Sequence, residues 1–379
     1  MSNGAWTVNT LRVPMARHRS KRVLLRSLAP ALAALLVLAG PASAGLILPE
    51  SGADSPQADN TRDLYLVVFV LGMIVFVLVE SVLIWCLVKY RARKGRVAAQ
   101  IHGNTRLEIG WTIVPAVILA VVMVPTVATI WDLARKPPSD ALNVTVIGQQ
   151  WWWKFEYTDA DMQTAAEAPG PITTANELVI PTGRVVYLTV TSGVGGITRP
   201  TDGAQDAAVI HSFWIPELAG TQDAIPNQEN HILLQADHPG IYEGQCKEFC
   251  GLSHGIMRTQ VRALSPADFD AWAAGQKEDA IEPTSGGLAA SGFDAFMGGQ
   301  CIQCHAIQGT PAGGIAGPNL THFASRDCFA GCMLDNSNPD DIKLWLRDPP
   351  AFKPGSFMPN YHLSEGDIDA LTAYLQTLK

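Results

Sequence analysis

With 379 residues, the chain has room for two soluble domains beside a membrane-embedded part. Hydrophobic residues make up 47% and charged residues only 16%, an apolar balance for this length, and the excess lies toward the N-terminus. The formal net charge of -8, with no basic patch interleaved with aromatics in the second half, argues against nucleic acid as a partner.

Residues 21–44, KRVLLRSLAPALAALLVLAGPASA, have a basic start, an apolar stretch and a small-residue end. That is a secretory signal pattern, so residues 1–44 are read as a signal peptide removed before Gly45, with Met1 and Met15 both open as the start. Two further apolar stretches, about 64–88 and 109–131, are long enough to cross a bilayer as helices, which takes roughly 20 residues. Residues 45–135 therefore read as a transmembrane hairpin. The short loop between the stretches carries Lys89, Arg91, Arg93, Lys94 and Arg96 and belongs on the cytoplasmic side. Everything after residue 135 then lies in the periplasm, which makes this a two-pass protein of a bacterial inner membrane. Glu80, inside the first stretch, and Glu108, at the mouth of the second, are costly in lipid and so are functional candidates. For Glu80 a structural partner in another subunit is the simpler account.

After Pro137-Pro138 the texture changes to short runs rich in Val, Thr and aromatics, broken by Gly and Pro. The runs ALNVTVIGQQWWWKFEY and RVVYLTVTSGV predict antiparallel strands of a sandwich or barrel over residues 136–263. SPADFDAWAAGQ reads as a Ser-capped helix and EPTSGGLAASG as a flexible stretch, so 264–290 is taken as a linker. Residues 291–379 show helical segments joined by Gly/Pro loops. From residue 266 onward there are fourteen Asp/Glu and six Lys/Arg, a charge balance that would attract a basic partner.

The chemistry sits in the cysteines. Cys86 stands alone in an apolar run and reads as a small hydrophobe, whereas Cys246/Cys250, Cys301/Cys304 and Cys328/Cys332 form close pairs. In GQCKEFCGLSHGIM (244–257), His254 and Met257 follow the two thiols, and VIHSFWIP supplies His211 upstream. Thiolate, imidazole and thioether form a soft ligand set that suits copper or zinc. Zinc takes two Cys and two His as a tetrahedron and has no use for Met257. Two thiolates bridging two coppers would leave one His for each metal, with Met257 and a backbone carbonyl as weak ligands. Cys301-Ile302-Gln303-Cys304-His305 is the attachment motif of c-type haem: two thioethers, with the adjacent imidazole on the iron. Cys328 and Cys332 fit a disulfide, which an oxidising compartment allows and which needs a non-helical turn with Cα atoms within about 7 Å.

The 244–257 segment resembles the copper loop of subunit II of the haem–copper cytochrome c oxidases, whose pattern is C-x-E-x-x-C-x-x-x-H-x-x-M. The likeness runs over residues 60–263, including the helical hairpin, the tryptophan run and the strand bearing His211. It implies a cupredoxin-like Greek-key β-barrel for 136–263, holding a dinuclear copper centre. Cys246 and Cys250 would bridge the coppers, His211 and His254 would bind one each, and Met257 and the Glu248 carbonyl would be weak ligands. The Glu248 carboxylate would reach a magnesium ion shared with subunit I. Trp151, the first residue of the run, would be the surface residue through which electrons enter, while Trp152 is read as packing. Glu108 would stand at the cytoplasmic entrance of a proton-uptake path. GPNLTHF (317–323) and KPGSFMP (353–359) resemble the haem-packing and Met-ligand loops of class I cytochrome c, which implies an all-α cytochrome c domain over 291–379 with Met358 as sixth ligand.

The chain departs from the oxidase pattern at Ala208, where Asp is usual and Asp206 is the nearest carboxylate, and at Thr221 and Gln228, where Lys and Arg are usual. These changes touch charge near partner surfaces. The implied function is to pass electrons from a basic donor cytochrome c, through haem c and copper, to subunit I, where oxygen is reduced with proton pumping beside subunit III. The alternative is an electron-transfer subunit or anchored carrier for another reductase, such as a nitric oxide reductase.

Overall fold

The structure, a computed structural model, describes residues 54–92, 95, 97, 100, 102–164, 170–193, 208–284 and 286–379. The signal pattern at 1–44, the loop cations Arg93, Lys94 and Arg96, and Asp206 lie outside these residues.

Helix α1 (Pro56–Lys89) starts where the Ser55 side chain accepts the Ala58 N–H and Pro56 supplies a pre-set first turn. Helix α2 (Thr105–Leu133) starts at Asn104, whose side chain accepts from Arg106 and Leu107, while Glu108 reaches back to the Asn104 N–H at 3.2 Å. These caps lie outside the apolar runs, which is why both helices exceed the spans 64–88 and 109–131. Both are long and apolar enough to cross a membrane, and their most apolar windows contain no buried residue. The start of α1 is tied to the soluble domain. Asp54 donates its N–H to Glu217, Ser55 donates its hydroxyl to Leu218, and the Asp54 carboxylate meets His238 and Tyr242.

The next domain is a β-barrel of the cupredoxin-like kind. Strands β1 (Leu142–Gln149), β2 (Trp152–Tyr157), β3 (Ile172–Ala175), β5 (Val186–Ser192) and β8 (Asn230–Leu234) form one sheet in the order β3-β2-β1-β5-β8. Strands β4 (Glu177–Pro181), β9 (Gly240–Gln245) and β10 (Arg258–Leu264) form a second in the order β4-β10-β9, and β6 (His211–Trp214) pairs with β7 (Thr221–Ala224). The expectation of antiparallel strands holds for β1 with β2 and for β9 with β10. It fails for β1 with β5 and β4 with β10, which run parallel because intervening strands carry the chain across to the other sheet. Burial alternates along β1, β2 and β5, and Trp153, Phe155, Tyr157 and Phe213 fill the space between the sheets. The Tyr157 hydroxyl donates to the Val179 carbonyl and accepts the Val179 N–H. Burial holds its pKa far above the ordinary phenol range.

Helix α3 (Pro266–Gly275), capped by Ser265, falls inside the span read as linker. It buries Phe269 and Ala273 in the barrel core and sets Trp272 against Tyr157, so it belongs to the barrel's packing. The connecting stretch is thereby reduced to residues 276–287.

The last domain is built on α4 (Leu288–Gly298), α5 (Pro339–Arg347), the single turn α6 (Pro349–Phe352) and α7 (Glu365–Leu375). Helices α4 and α7 cross at Gly292, where a Cβ would stand 2.0 Å from the Ala370 carbonyl oxygen, so only glycine permits the approach. The domain is mostly helical rather than wholly so. A two-stranded hairpin, β11 (Cys328–Phe329) with β12 (Leu334–Asp335), interrupts it. Cys328 and Cys332 are disulfide-bonded across a turn whose Cα–Cα distance is 4.7 Å, as their spacing predicted.

Candidate functional site

The first donor set gathers at one end of the barrel. His211 opens β6 and is buried against Gly148, where a Cβ would lie 2.8 Å from the imidazole, and against the Trp153 ring. The loop from β9 to β10 brings the other donors. It is pinned by the Cys246 N–H to the Met257 carbonyl and by the Lys247 N–H to the Ser212 carbonyl, both at 3.0 Å. Cys246 Sγ lies 3.8 Å from His211 Nδ1, 3.9 Å from Cys250 Sγ and 3.3 Å from the Glu248 carbonyl oxygen. Cys250 Sγ lies 3.5 Å from His254 Nδ1 and 3.7 Å from Met257 Sδ.

These separations rule out a disulfide, which needs about 2.0 Å, and suit two thiolates on metal at about 2.3 Å each. The donor atoms of His211, Cys246 and Cys250 fall within 4.8 Å of one another, and all three residues are buried. Hydrogen bonding from Cys250 outweighs burial and holds the Cys246 thiol below the ordinary range, with His211 and the Ser212 N–H helping. The same contact, with burial, pushes Cys250 up. A soft cation held by both sulfurs would take them as thiolates and release their protons. The buried thioether of Met257 and the inward Glu248 carbonyl are donors a tetrahedral zinc site does not need, so the set fits copper.

The second donor set surrounds a cavity of about 190 Å³, taken as the space open to a water's centre. Cys301, Cys304, His305 and Met358 line it together with Phe296, Leu320, Phe323 and Leu371. Cys301 begins a single 3-10 turn after α4. His305 donates Nδ1–H to the Pro318 carbonyl at 2.8 Å, which fixes the tautomer and leaves Nε2 free to bind a metal. Gly317 makes room for the ring: a Cβ there would stand 2.5 Å from His305 Cε1. Burial lowers the pKa of His305 and so favours the neutral imidazole, the form a metal takes. Two thiols, an oriented imidazole and a thioether around an apolar slot fit a covalently held haem.

The two sets are neighbours. Trp151 precedes β2 and is not at the surface but 6% exposed. Its Nε1–H donates to the Cys250 carbonyl at 2.9 Å, and its ring lies parallel to Phe357, the residue before Met358, at 6.5 Å and 9°. Gly355 covers it so closely that a Cβ would stand 2.5 Å from the indole. Trp152 is half-buried and lines the haem-sized cavity. Glu108 lies apart, in the helical hairpin, where it caps α2. Sequence reasoning passed over Gly148, Glu177, Arg326 and Lys353. Gly148, Glu177 and Arg326 carry no motif, Lys353 opens the KPGSFMP segment without a role of its own there, and each acquires meaning only from what folds against it.

An apolar helical hairpin, a cupredoxin-like barrel with a thiol-rich donor set and a cytochrome fold with a C-x-x-C-H cavity define a membrane-anchored cupredoxin–cytochrome fusion. Three family models match: cytochrome c oxidase subunit II, transmembrane domain, over residues 41–129; its periplasmic domain over 142–264; and cytochrome c over 289–379. The chain belongs to the cytochrome c oxidase subunit II family and carries a cytochrome c domain at its C-terminal end. It is 36% identical to cytochrome c oxidase subunit 2 of Alkalihalophilus pseudofirmus, over 86% of this chain and 89% of that one. It is 34% identical to the subunit 2 of Bacillus sp. (strain PS3), over 76% and 80%, and 30% identical to that of Bacillus subtilis, over 85% and 89%.

Proposed function

We propose that the chain is the electron-accepting subunit of a haem–copper cytochrome c oxidase. It takes electrons from a basic donor cytochrome c at its cytochrome domain. It delivers them from its copper domain to subunit I, where oxygen is reduced and protons are pumped in the presence of subunit III. The observation that carries this reading is Trp151, buried between the Met358 loop and the Cys250 carbonyl, which joins the two donor sets through one side chain.

In this reading Cys301 and Cys304 would hold haem c through thioethers, with His305 and Met358 as the residues for its iron. Cys246 and Cys250 would supply the thiolates of a dinuclear copper centre, CuA, with His211, His254, Met257 and the Glu248 carbonyl as its other donors. The haem and the copper pair each supply a one-electron couple when bound, and a Met/His pair sets the haem potential high. The chain's own residues orient and insulate both sites. His305 is held by Pro318, and the guanidinium of Arg326, buried in the cavity wall with its pKa lowered to about 10 by burial, would offer a positive partner to the acidic groups of a haem. Phe249 and Leu252, each 78% exposed beside the copper loop, and the exposed Glu248 carboxylate suit burial against subunit I, with magnesium between them. Glu108 would stand at a proton-path entrance on the cytoplasmic side of a bacterial inner membrane, with both soluble domains in the periplasm.

The test is the full chain, loaded with copper and haem and purified with its partners. A c-type haem band and an electron paramagnetic resonance pattern from one electron shared by two coppers are expected, together with oxygen uptake from reduced cytochrome c that weakens as salt rises. Cys246→Ser/Cys250→Ser should abolish the copper signal and leave the haem band. A zinc-only barrel, or copurification with a nitric oxide-reducing partner, would overturn the oxidase reading. Glu108→Ala should slow proton uptake, and unchanged turnover would remove that role.

A further inference from the structure

The disulfide hairpin belongs to neither donor set, yet it lies between them. One side of it faces the haem-sized cavity, where Phe329, Ala330 and Gly331 form part of the wall and Phe329 packs on Phe323 and Trp345. The other side lies on the copper domain. At its base the Asp327 N–H donates to the Glu177 carboxylate at 3.1 Å, and Arg262 reaches both Glu177 (3.6 Å) and Asp327 (3.7 Å). Gln260 donates to the same carboxylate at 2.8 Å. Glu177 is 2% exposed, so this receptor is built into the barrel rather than left on its surface. At the tip, a Cβ on Gly331 would stand 2.5 Å from the carbonyl of Ile256, the residue before Met257. Cys332 Sγ is 3.5 Å from the Asn176 carbonyl.

The tip is shaped for this contact. Ala330, Gly331 and Cys332 have φ of 53, 78 and 52°, a left-handed run that two non-glycine residues disfavour and that the disulfide closes covalently. A second tie comes from the Met358 loop. Lys353, 4% exposed, donates Nζ–H to the Trp151 carbonyl and to the Ala330 carbonyl, the latter at 3.3 Å. One ammonium thus joins the hairpin, the Met-ligand loop and the tryptophan that lies on Cys250.

We propose that the Cys328–Cys332 hairpin and Lys353 form a clasp, with Glu177 as its receptor, that holds the haem cavity on the copper loop and so sets the rate of electron transfer within the chain. The proposal rests on the functional reading above for the identity of the two redox groups, but the clasp can be tested without them. These are positioning residues, acting through Trp151 and the Met358 loop. Electron transfer falls off as the path between donor and acceptor lengthens, so a seam that loosens slows it.

The experiment compares the full chain with Lys353→Met, Glu177→Gln and Cys328→Ser/Cys332→Ser. In the metal-free and haem-free chain, amide exchange at Asp327 and over residues 251–256 should rise in each variant, while strands β1 and β5 keep wild-type protection. In the loaded chain, the haem band and copper resonance should be unchanged. Transfer from flash-reduced haem to copper should fall clearly below the wild-type rate. If the double serine variant does not fold, Lys353→Met and Glu177→Gln decide the matter. Exchange at wild-type levels, or transfer at the wild-type rate, would overturn the clasp. Failure to load haem and copper would count against the functional reading alone, since the exchange comparison stands without them.

Discussion

The barrel and the cytochrome domain each gather a set of donor side chains, and they do so in opposite ways. In the barrel the donors of His211, Cys246 and Cys250 already converge within 4.8 Å, buried and pinned by backbone hydrogen bonds from neighbouring strands. In the cytochrome domain the donors face one another across a cavity that the protein's own side chains leave open. In the proposed function a metal would complete the first site and haem the second. The barrel should therefore be little changed by copper, whereas haem should raise the stability of the cytochrome domain.

The largest expected effect follows directly. A group bound to the folded state stabilises it by mass action. Cys301→Ser/Cys304→Ser should therefore lower the thermal transition of residues 288–379 while the barrel's transition stays in place, as calorimetry can resolve. Next, Trp153→Ala should cost about 3–5 kcal/mol, because it empties the centre of the barrel core and removes the wall behind His211. Denaturant unfolding of the metal-free chain measures this, and a loss below about 1 kcal/mol would contradict the view of a preformed barrel.

A pH effect should separate the seam from both domains. Burial lowers Lys353 to about 7 from its ordinary 10.5. Between those values the open or unfolded chain binds more protons than the docked one, so docked stability rises with pH across that window and is lowest below it. Stability of wild type minus that of Lys353→Met, followed across the window in the metal-free chain, should climb. A flat difference would show that the ammonium stays charged in place. The smallest effect is Ser265→Ala, which removes the cap of α3 and should cost about 1 kcal/mol, seen only in the barrel transition.

Much of this molecule is legible in local spacing. The hairpin helices, the Ser265 cap, the thiols of 244–257, the C-x-x-C-H motif and the Cys328–Cys332 pair all lie within short windows. There the chemistry needs residues a few positions apart, and the chain can hardly place them otherwise. The strand runs were legible too, but their pairing was not. The parallel contacts of β1 with β5 and β4 with β10 depend on crossovers that leave no periodic trace. The span 264–290 looked like a linker because small and polar residues dominate it, whereas Phe269 and Ala273 bury α3 in the barrel core.

By itself, the sequence determined two apolar helical spans, a loop dense in soft donors and a C-x-x-C-H motif, in that order. Only the tertiary structure decided that His211 meets Cys246 from 35 residues away, that Trp151 lies covered rather than open, and that Glu177, Asp327 and Lys353 join the two domains. The reason is physical. Ligand spacing within a loop is fixed by backbone geometry and shows as a pattern. A contact between distant segments is fixed by packing and by the need to satisfy buried polar groups, and any residue of the right size and hydrogen-bonding capacity can meet it.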